Sequence, residues 1–401
     1  MIGSLYKCCT LVEKYVKMAG KFTIVKNTLV LIIYLVLVFL MMSAGNYRGK
    51  ACPSNEKGHL FSLTYGKNQT FLLHKKLIIH KNNYPLKDVK TDIQNKIRMY
   101  LPDDIARRHF VAGCNQHQIP VDGRIDFIEN FPSKLVNPRN IEVWLPEAYD
   151  PSKKYAVIYA HDGQMLYDST KSWNGQAWDI DDVAGEMMRA GKIRDLIVVG
   201  IWNDGANRFR DYFPQKPFES LSKTEKAFIQ QKLQESFRVE GDFSPNSDFY
   251  LQFIVQELKP WIDAHYATLK DPANTIILGS SMGGLISFYA ITQYPEVFGR
   301  AVCMSTHWPG IFGLENNPVP DAFLNYADAH LSKLDNHKVF FDLGDQGLDS
   351  LYTGTQQKID QLMMKHGFNE TNWQTIYAAG ETHTETSWNK RLPTALKFIL
   401  N

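Results

Sequence analysis

The chain has 401 residues, of which 44% are hydrophobic and 21% are charged, and its 44 Lys and Arg residues against 42 Asp and Glu residues give a formal charge of +2. This balance excludes a domain-wide basic field for nucleic acid and the acidic excess that is typical of a disordered chain. Five Cys residues are too few for a disulfide scaffold, and no Cys or His cluster has zinc-ligand spacing, so we expect a folded protein without a metal.

The N-terminal segment has the features of a targeting signal. Residues 28–42 form an uncharged apolar run, preceded by two lysines and followed by Ser43-Ala44-Gly45. This order is typical of a secretory signal peptide, and the run is shorter than the roughly 20 apolar residues of a transmembrane helix. We therefore expect 1–45 to be a signal peptide or an uncleaved anchor, with Met18 as the true start, and the protein to be secreted or periplasmic.

Residues 46–120 are polar, rich in lysine and weakly periodic. The runs at 59–65 and 70–80 have strand-like composition, but the sequence does not fix their partners. We interpret this segment as an extension of unknown role. The pattern of apolar and polar residues changes at residue 121, and we predict a second domain over 121–401.

This second domain alternates short apolar runs with amphipathic segments. Strands are predicted at 141–145, 155–160, 196–202, 275–280, 301–305, 339–343 and 373–378, and helices at 180–190, 249–267, 282–293, 355–366 and 388–400. Several strands are apolar on both faces, as in a parallel sheet covered by helices on both sides. The pattern predicts a doubly wound, mostly parallel α/β domain, whose ligands bind beyond the carboxyl ends of the strands.

The run at 275–280 leads into a GxSxG pattern. Gly279, Ser281 and Gly283 lie between a predicted strand and a predicted helix. Flanking glycines allow a strained turn that raises the serine above the sheet, which an ordinary tight turn would not need. We predict that Ser281 is a nucleophile and that the backbone N–H of Met282, at the helix N-terminus, binds an oxyanion.

The order of triad residues along such folds is serine, acid, histidine, so the base and the acid must follow Ser281. Among five downstream histidines, His383 directly follows the last predicted strand, and we predict that it is the general base. The acid is expected after the preceding strand, where Asp345 and Asp349 both qualify. Asp342 lies within the strand pattern and is interpreted as structural. Spacing alone does not choose between the other two.

Further pocket residues follow the other strands. The run at 155–160 leads into His161-Asp162-Gly163-Gln164, either a plain turn or the loop whose Gln164 N–H completes the oxyanion site. We predict that the pocket wall contains His161, Trp202, Asn203 and His307. The aromatic side chains of Trp173, Trp202 and Trp308 would suit sugar or aryl faces at the mouth, or equally the core.

The assembled motifs resemble an esterase family of α/β hydrolases that includes ferric-enterobactin, feruloyl and acetyl-xylan esterases. The resemblance spans about 125–400 through 140–146, 161–164, 279–284, 348–352 and His383 with Trp388. It implies an α/β-hydrolase fold and no metal or organic cofactor. It also implies that Asp349, which precedes Tyr352 as in the family's glycine-led loop, is the acid, with Asp345 the runner-up.

We therefore expect a secreted serine esterase with the triad Ser281, His383 and Asp349. Its substrate would be a small-molecule or polysaccharide ester, with acetylated or feruloylated carbohydrate favoured. No nucleic-acid partner is expected. Contact with a membrane is expected only through the N-terminal segment, if it is not cleaved. The alternatives are a siderophore trilactone esterase, an acyltransferase to an alcohol, and a hydrolase-like binding protein that has lost its chemistry.

Overall fold

The computed structural model describes residues 48–52, 60–64, 70–74, 79–81, 122–237 and 241–401. Contacts divide the chain into two units, Met1–His117 and Gln118–Asn401. The predicted signal segment lies outside the described residues, so export stays a prediction, as does the boundary at residue 120. In the described part of the chain, no helix has the length and apolar character needed to cross a membrane.

The described part of the first unit is a four-stranded antiparallel sheet whose strands pair in chain order. The strands are β1 (Arg48–Cys52), β2 (Leu60–Thr64), β3 (Thr70–His74) and β4 (Ile79–Lys81). The strand expected at 59–65 is confirmed as β2. The run at 70–80 contributes to two strands instead of one, and β1 was not predicted because its sequence has no alternation.

The second unit is built on an eight-stranded sheet with the order β12-β11-β10-β9-β7-β8-β6-β5. Its strands are β5 (Arg124–Phe131), β6 (Arg139–Leu145), β7 (Ala156–His161), β8 (Leu196–Ile201), β9 (Thr275–Ser280), β10 (Arg300–Met304), β11 (Lys338–Gly344) and β12 (Trp373–Ala378). The six strands from β12 to β8 are parallel, while β6 and β5 are antiparallel additions at one edge.

Ten α-helices belong to the described part of this unit. They are α1 (Ile180–Arg189), α2 (Arg208–Tyr212), α3 (Gln215–Glu219), α4 (Lys223–Phe237), α5 (Ser247–Gln252), α6 (Lys259–His265), α7 (Met282–Gln293), α8 (Val319–His330), α9 (Thr353–Lys365) and α10 (Glu385–Leu400). A π-helical segment, Phe253–Leu258, joins α5 to α6.

Two hydrophobic cores lie on the two faces of this sheet. Along β7, Val157 and Tyr159 belong to one core, whereas Ala156, Ile158 and Ala160 belong to the other. This alternation follows from the two-residue period of a strand, which sends successive side chains to opposite faces. Helices α1 and α10 cover one face and the remaining helices the other. The doubly wound prediction is therefore confirmed.

All seven strands predicted for this domain are present, and those at 275–280 and 373–378 have the predicted bounds. The helix predicted at 249–267 is interrupted by the π-helical segment. The edge strand β5 was missed because half of its side chains are exposed and only Phe131 is buried. Helix α4 was missed because it is polar around most of its circumference, so no apolar period marks it.

Candidate active site

The parallel strands bring the predicted chemical residues to one edge of the sheet. Ser281 follows β9 directly, and His161 is the last residue of β7. His307, Asp349 and His383 lie in the segments that follow β10, β11 and β12. Because these strands are parallel, all five positions lie beyond their carboxyl ends, where doubly wound sheets bind ligands.

Ser281 occupies a strained turn between β9 and α7. Its backbone has φ 58° and ψ −123°, a conformation that residues with a Cβ rarely adopt. The turn requires glycine at position 279, since a Cβ there would lie 2.5 Å from the carbonyl carbon of Gly283, whereas a Cβ on Gly283 would make only ordinary contacts at 3.4 Å. The backbone N–H of Ser281 donates to the Met304 carbonyl at 2.9 Å. The serine is therefore held in a nucleophile-elbow geometry.

The N–H of Met282 is positioned to bind an anion. Met282 is the first residue of α7, and the first N–H groups of a helix have no acceptor within that helix. The positive end of the helix dipole lies at the same point. A negative oxygen formed next to Ser281 would therefore meet a donor and a favourable field.

His383 is held by a buried carboxylate. Its Nδ1 lies 2.6 Å from Oδ1 of Asp349, which is fully buried. Oδ2 of Asp349 accepts from the Ser305 hydroxyl and the Gly344 N–H, each at 2.7 Å. Burial alone would raise the pKa of Asp349, but the hydrogen bond and charge of His383, with those from Ser305 and Gly344, lower it overall. The carboxylate is therefore ionised and oriented.

The hydroxyl of Ser305 uses all of its hydrogen-bonding positions. Its oxygen accepts from Nε1 of Trp388 at 2.9 Å and from Nη2 of Arg391 at 3.0 Å. Both partners can only donate, so the single hydroxyl hydrogen must be given to Asp349. Arg391 also binds Asp342 through two hydrogen bonds at 2.9 and 3.1 Å, which pairs both buried charges. Ser305 and Arg391 were missed from the sequence, because only their spatial neighbours reveal them.

Asp345, the runner-up for the acid, lies elsewhere in the same segment. Its Oδ1 accepts from the Gly380 N–H and the Gln346 amide, both at 2.8 Å, in exposed surroundings. These hydrogen bonds lower the pKa of Asp345 but do not involve an imidazole. The structure brings His383 to Asp349 and not to Asp345.

Gln164 lies in a short 3₁₀ helix, Gly163–Met165, directly after β7. A Cβ on Gly163 would lie 2.5 Å from the carbonyl carbon of Gly200, so glycine lets this loop approach the sheet closely. The side chain of Gln164 accepts from the Asn203 N–H at 3.2 Å. The side-chain contact fixes the loop whose backbone N–H is the predicted second oxyanion donor.

Asn203 and its neighbours form an ion-pair network around Asp162. Asp162 accepts from Nε and Nη2 of Arg208 at 2.7 and 2.8 Å and from the Asn203 amide at 2.7 Å. Burial alone would raise the pKa of Asp162, but the charge and hydrogen bonds of Arg208, with the Asn203 hydrogen bond, lower it overall. Asn203 therefore supports the loop after β7, rather than presenting a free amide to a pocket.

His161, the last residue of β7, and His307, three residues after β10, follow the two strands that border β9. Both are buried, and each Nδ1 contacts a tyrosine hydroxyl, Tyr250 at 2.8 Å and Tyr352 at 2.7 Å. Burial lowers the pKa of each histidine to about 3, so both are neutral at pH 7. Neither Nε2 atom has a hydrogen-bond partner among the described residues. Both are therefore poor candidates for the general base, and their place in a pocket wall stays a prediction.

The three candidate aromatic platforms differ in exposure. Trp308 is fully buried, and its Nε1 donates to Gln356 at 2.9 Å, so of the two alternatives left open for this residue the structure shows the core. Trp202 is half-buried, with its ring edge-on to Phe127 at 5.9 Å. Trp173 is 85% exposed. Only Trp173 among these three therefore presents most of its ring to solvent.

Among the residues that the structure describes, no group of three or more His, Cys, Asp and Glu side chains is arranged to hold a metal ion.

Comparisons with known proteins show the family to which the chain belongs. The model of the protein family described as "Putative esterase" matches residues 133–399. The uncharacterized protein YbbA of Bacillus subtilis (strain 168) is 23% identical over 272 residues, which cover 65% of this chain and 92% of that protein. The family match confirms the resemblance drawn from the sequence motifs.

Solved structures share the fold. The BES protein from Bacillus cereus superposes with a TM-score of 0.52 and 19% identity, covering 72% of this chain and 99% of its own. A ferulic acid esterase has a TM-score of 0.50 and 19% identity, covering 69% and 98%. An IroE-like serine hydrolase from Shewanella oneidensis has a TM-score of 0.50 and 20% identity, covering 69% and 80%. These likenesses confirm the predicted α/β-hydrolase fold.

The buried histidines make stability depend on pH. His161 binds no proton in the folded chain above about pH 3, whereas an unfolded histidine binds one below about pH 6.5. The unfolded state therefore gains protons first as the pH falls, and stability is lost below about pH 6.5. Between pH 8 and pH 5, we expect the free energy of unfolding of His161→Asn to fall by about 2 kcal/mol less than that of the unchanged chain. The reason is that one such histidine costs about 1.36 kcal/mol for each pH unit below about 6.5.

The measurement is urea denaturation followed by tryptophan fluorescence. All eight tryptophans lie between Trp144 and Trp388, so the signal reports on the second unit. Parallel stability curves for the variant and the unchanged chain from pH 8 to pH 5 would contradict the neutral, buried state of His161.

Proposed function

Since the chain belongs to the Putative esterase family, a group of α/β-hydrolase esterases, we propose that it hydrolyses a carboxylic ester through an acyl-enzyme on Ser281. His383 is the general base and Asp349 the acid that orients it. The observation that carries this proposal is the 2.6 Å contact between His383 Nδ1 and the buried Asp349, at the same sheet edge as the strained Ser281 turn.

In the first half of the reaction, Ser281 Oγ attacks the ester carbonyl while Nε2 of His383 takes the serine proton. The resulting imidazolium donates through Nδ1 to Asp349, whose negative charge stabilises it. His383 then gives the proton to the departing alcohol, which leaves the acyl group on Ser281. Water repeats the sequence in the second half and releases the carboxylic acid.

The tetrahedral oxygen is stabilised by backbone donors on two sides. The N–H of Met282 lies at the start of α7, and the N–H of Gln164 lies in the 3₁₀ helix after β7, the strand next to β9. Both are fixed by backbone structure before substrate binds, so they need not reorganise as charge develops. A single such donor is worth about 10²–10³ in kcat in other enzymes.

For the substrate, we propose an acylated carbohydrate that carries acetyl or feruloyl groups. Trp173 supports this choice, because its exposed ring lies in the loop between β7 and α1. The adjacent Asn174 donates to Glu385 at 2.7 Å, two residues beyond His383. The ring therefore stands beside the catalytic segment, where it can stack on a sugar or an aryl face.

We expect Ser281→Ala to lower kcat by several orders of magnitude on a good ester, because the nucleophile is removed while the backbone donors remain. A fluorophosphonate should label the unchanged chain stoichiometrically at Ser281, as mapped by mass spectrometry, and should not label the variant. His383→Ala should also abolish labelling. Near-full activity in Ser281→Ala would overturn the proposal, and a folded, unlabelled chain would favour the binding-protein alternative.

The two aspartates give a matched pair of tests. Asp349→Asn should lower kcat by about 10⁴-fold, because an amide at this position cannot stabilise the imidazolium and favours the wrong tautomer. Asp345→Asn removes the same charge from the same segment, directly after β11, but the Asp345 carboxylate is hydrogen-bonded to Gln346 and Gly380 instead of a histidine. It should retain activity. Equal losses in the two variants, measured as kcat on 4-nitrophenyl acetate, would contradict the assignment of Asp349.

Substrate class is tested at Trp173. We expect Trp173→Ala to raise KM for a feruloylated xylo-oligosaccharide about 10-fold, the equivalent of one ring-stacking contact. KM for vinyl acetate, which has no ring, should not change. Phe249→Ala removes another exposed aromatic, in α5, and should affect neither substrate. An unchanged KM for the oligosaccharide would show that Trp173 does not bind the substrate, and the support for carbohydrate esters would be lost with it.

A further inference from the structure

Tyr352 lies at the centre of the candidate site but has no role in the proposed triad. It is fully buried and follows the 3₁₀ helix Gly347–Leu351, and its backbone N–H donates to the Asp349 carbonyl at 3.0 Å. Its ring meets the His383 ring edge-on at 5.7 Å. The Ser281 hydroxyl lowers the pKa of the Tyr352 phenol against the effect of burial, so the two hydroxyls interact. The phenol therefore neighbours both the nucleophile and the base.

His307 fixes the other side of this phenol. Its Nδ1 lies 2.7 Å from the Tyr352 hydroxyl, and the two rings meet edge-on at 5.5 Å. The backbone N–H of His307 donates to the Ser281 carbonyl at 3.1 Å, so the imidazole is tied to the serine turn. Ser281, Tyr352 and His307 thus form one connected unit.

The direction of the hydrogen bonds follows from the histidine. Nε2 of His307 is buried without a partner among the described residues, and a buried unpaired N–H is rarer than a buried unpaired acceptor. The favoured neutral tautomer therefore carries its hydrogen on Nδ1 and donates it to the phenol oxygen. The phenol hydrogen is then available to Ser281 Oγ.

We propose that Tyr352 is a further catalytic residue, whose hydroxyl is held by His307 and donates a hydrogen bond to Ser281 Oγ as negative charge passes through that oxygen. This inference rests on the proposed role of Ser281 as nucleophile. Charge builds on Oγ as the serine is deprotonated for attack, and again when Oγ leaves the acyl group. A fixed donor strengthens as its acceptor becomes anionic, so it lowers both barriers.

The phenol donates without losing its proton. Burial raises the pKa of Tyr352 well above its usual value and the charge of Asp349 raises it further, while the Ser281 hydroxyl opposes this. The proton of the serine goes to His383 alone. Tyr352 therefore differs from a second general acid, and the rate should not acquire a new ionisation from it.

The first variant is Tyr352→Phe, which removes one oxygen and keeps the ring. We expect kcat for 4-nitrophenyl acetate and the rate of fluorophosphonate labelling to fall about 10²-fold, with KM within about twofold of its original value. Single-turnover kinetics should show acylation and deacylation both slowed. Tyr377→Phe removes a hydroxyl from an exposed tyrosine that binds Asp360, and it should leave all these rates unchanged.

Variants of His307 test whether it acts through Tyr352. His307→Asn keeps a donor near the position of Nδ1 and should retain most of the activity, whereas His307→Leu should approach the loss of Tyr352→Phe. The double variant Tyr352→Phe, His307→Leu should be no slower than Tyr352→Phe alone, because both changes remove one hydrogen bond. If Tyr352→Phe does not fold, the contrast between the two His307 variants decides.

The outcomes separate this inference from the function on which it rests. Absence of Ser281 labelling in the unchanged, folded chain would refute the nucleophile itself. Normal labelling of the unchanged chain, with Tyr352→Phe equally fast in both half-reactions, would overturn the role of Tyr352 and leave the triad intact. Additive losses in the double variant would show that His307 acts separately, which also overturns the proposal.

Discussion

The backbone of β9 approaches the backbone of α7 so closely that a Cβ on Gly279 would lie 2.5 Å from the carbonyl carbon of Gly283. This contact turns the chain within one residue and leaves Ser281 at positive φ. A side chain at position 279 would force β9 and α7 apart at this turn. The candidate nucleophile, the candidate oxyanion donor at Met282 and the approach of α7 to the sheet all depend on the absence of this one Cβ atom.

The charges behind the site are stabilised in a different way. Asp349 and Asp342 are fully buried, and a buried carboxylate is costly unless hydrogen bonds and an opposite charge compensate it. Arg391 supplies that charge. It also donates to the Ser305 hydroxyl, which in turn donates its own hydrogen to Asp349. Because every bonding position of the Ser305 oxygen is used, its hydroxyl cannot rotate, and the carboxylate that holds His383 is fixed from behind.

The fold and several residues of the candidate site could be predicted from the sequence because short motifs and the order of strands and helices mark them. The strand–turn–helix context singles out Ser281, and the order of elements singles out His383. Periodicity did not find β5 or α4, since neither has an apolar face that sequence spacing would reveal. Element order placed both aspartates after β11, but the distance to an imidazole is a tertiary quantity that spacing does not contain.

Other parts of the site depend on partners that lie far apart in the chain. Trp308 reads as an aromatic residue beside a strand end, and only its packing against Phe288 and its bond to Gln356 reveal a core residue. The pairing of His307 with Tyr352 joins residues 45 positions apart. Neither residue type predicts the other, so a single sequence gives no signal that links them.

The loop that bears Trp173 separates its anchors from its exposed ring. Asn174 binds Glu385, and Thr386 binds Gln176 at 3.0 Å, so the two neighbours of the ring hold the loop to the start of α10. The ring itself contributes little to that attachment, since it is 85% exposed. Residue 173 is thus free to vary over evolutionary time without disturbing the segment that carries His383, and this position offers a route by which one scaffold could acquire new preferences while its reactive centre is preserved.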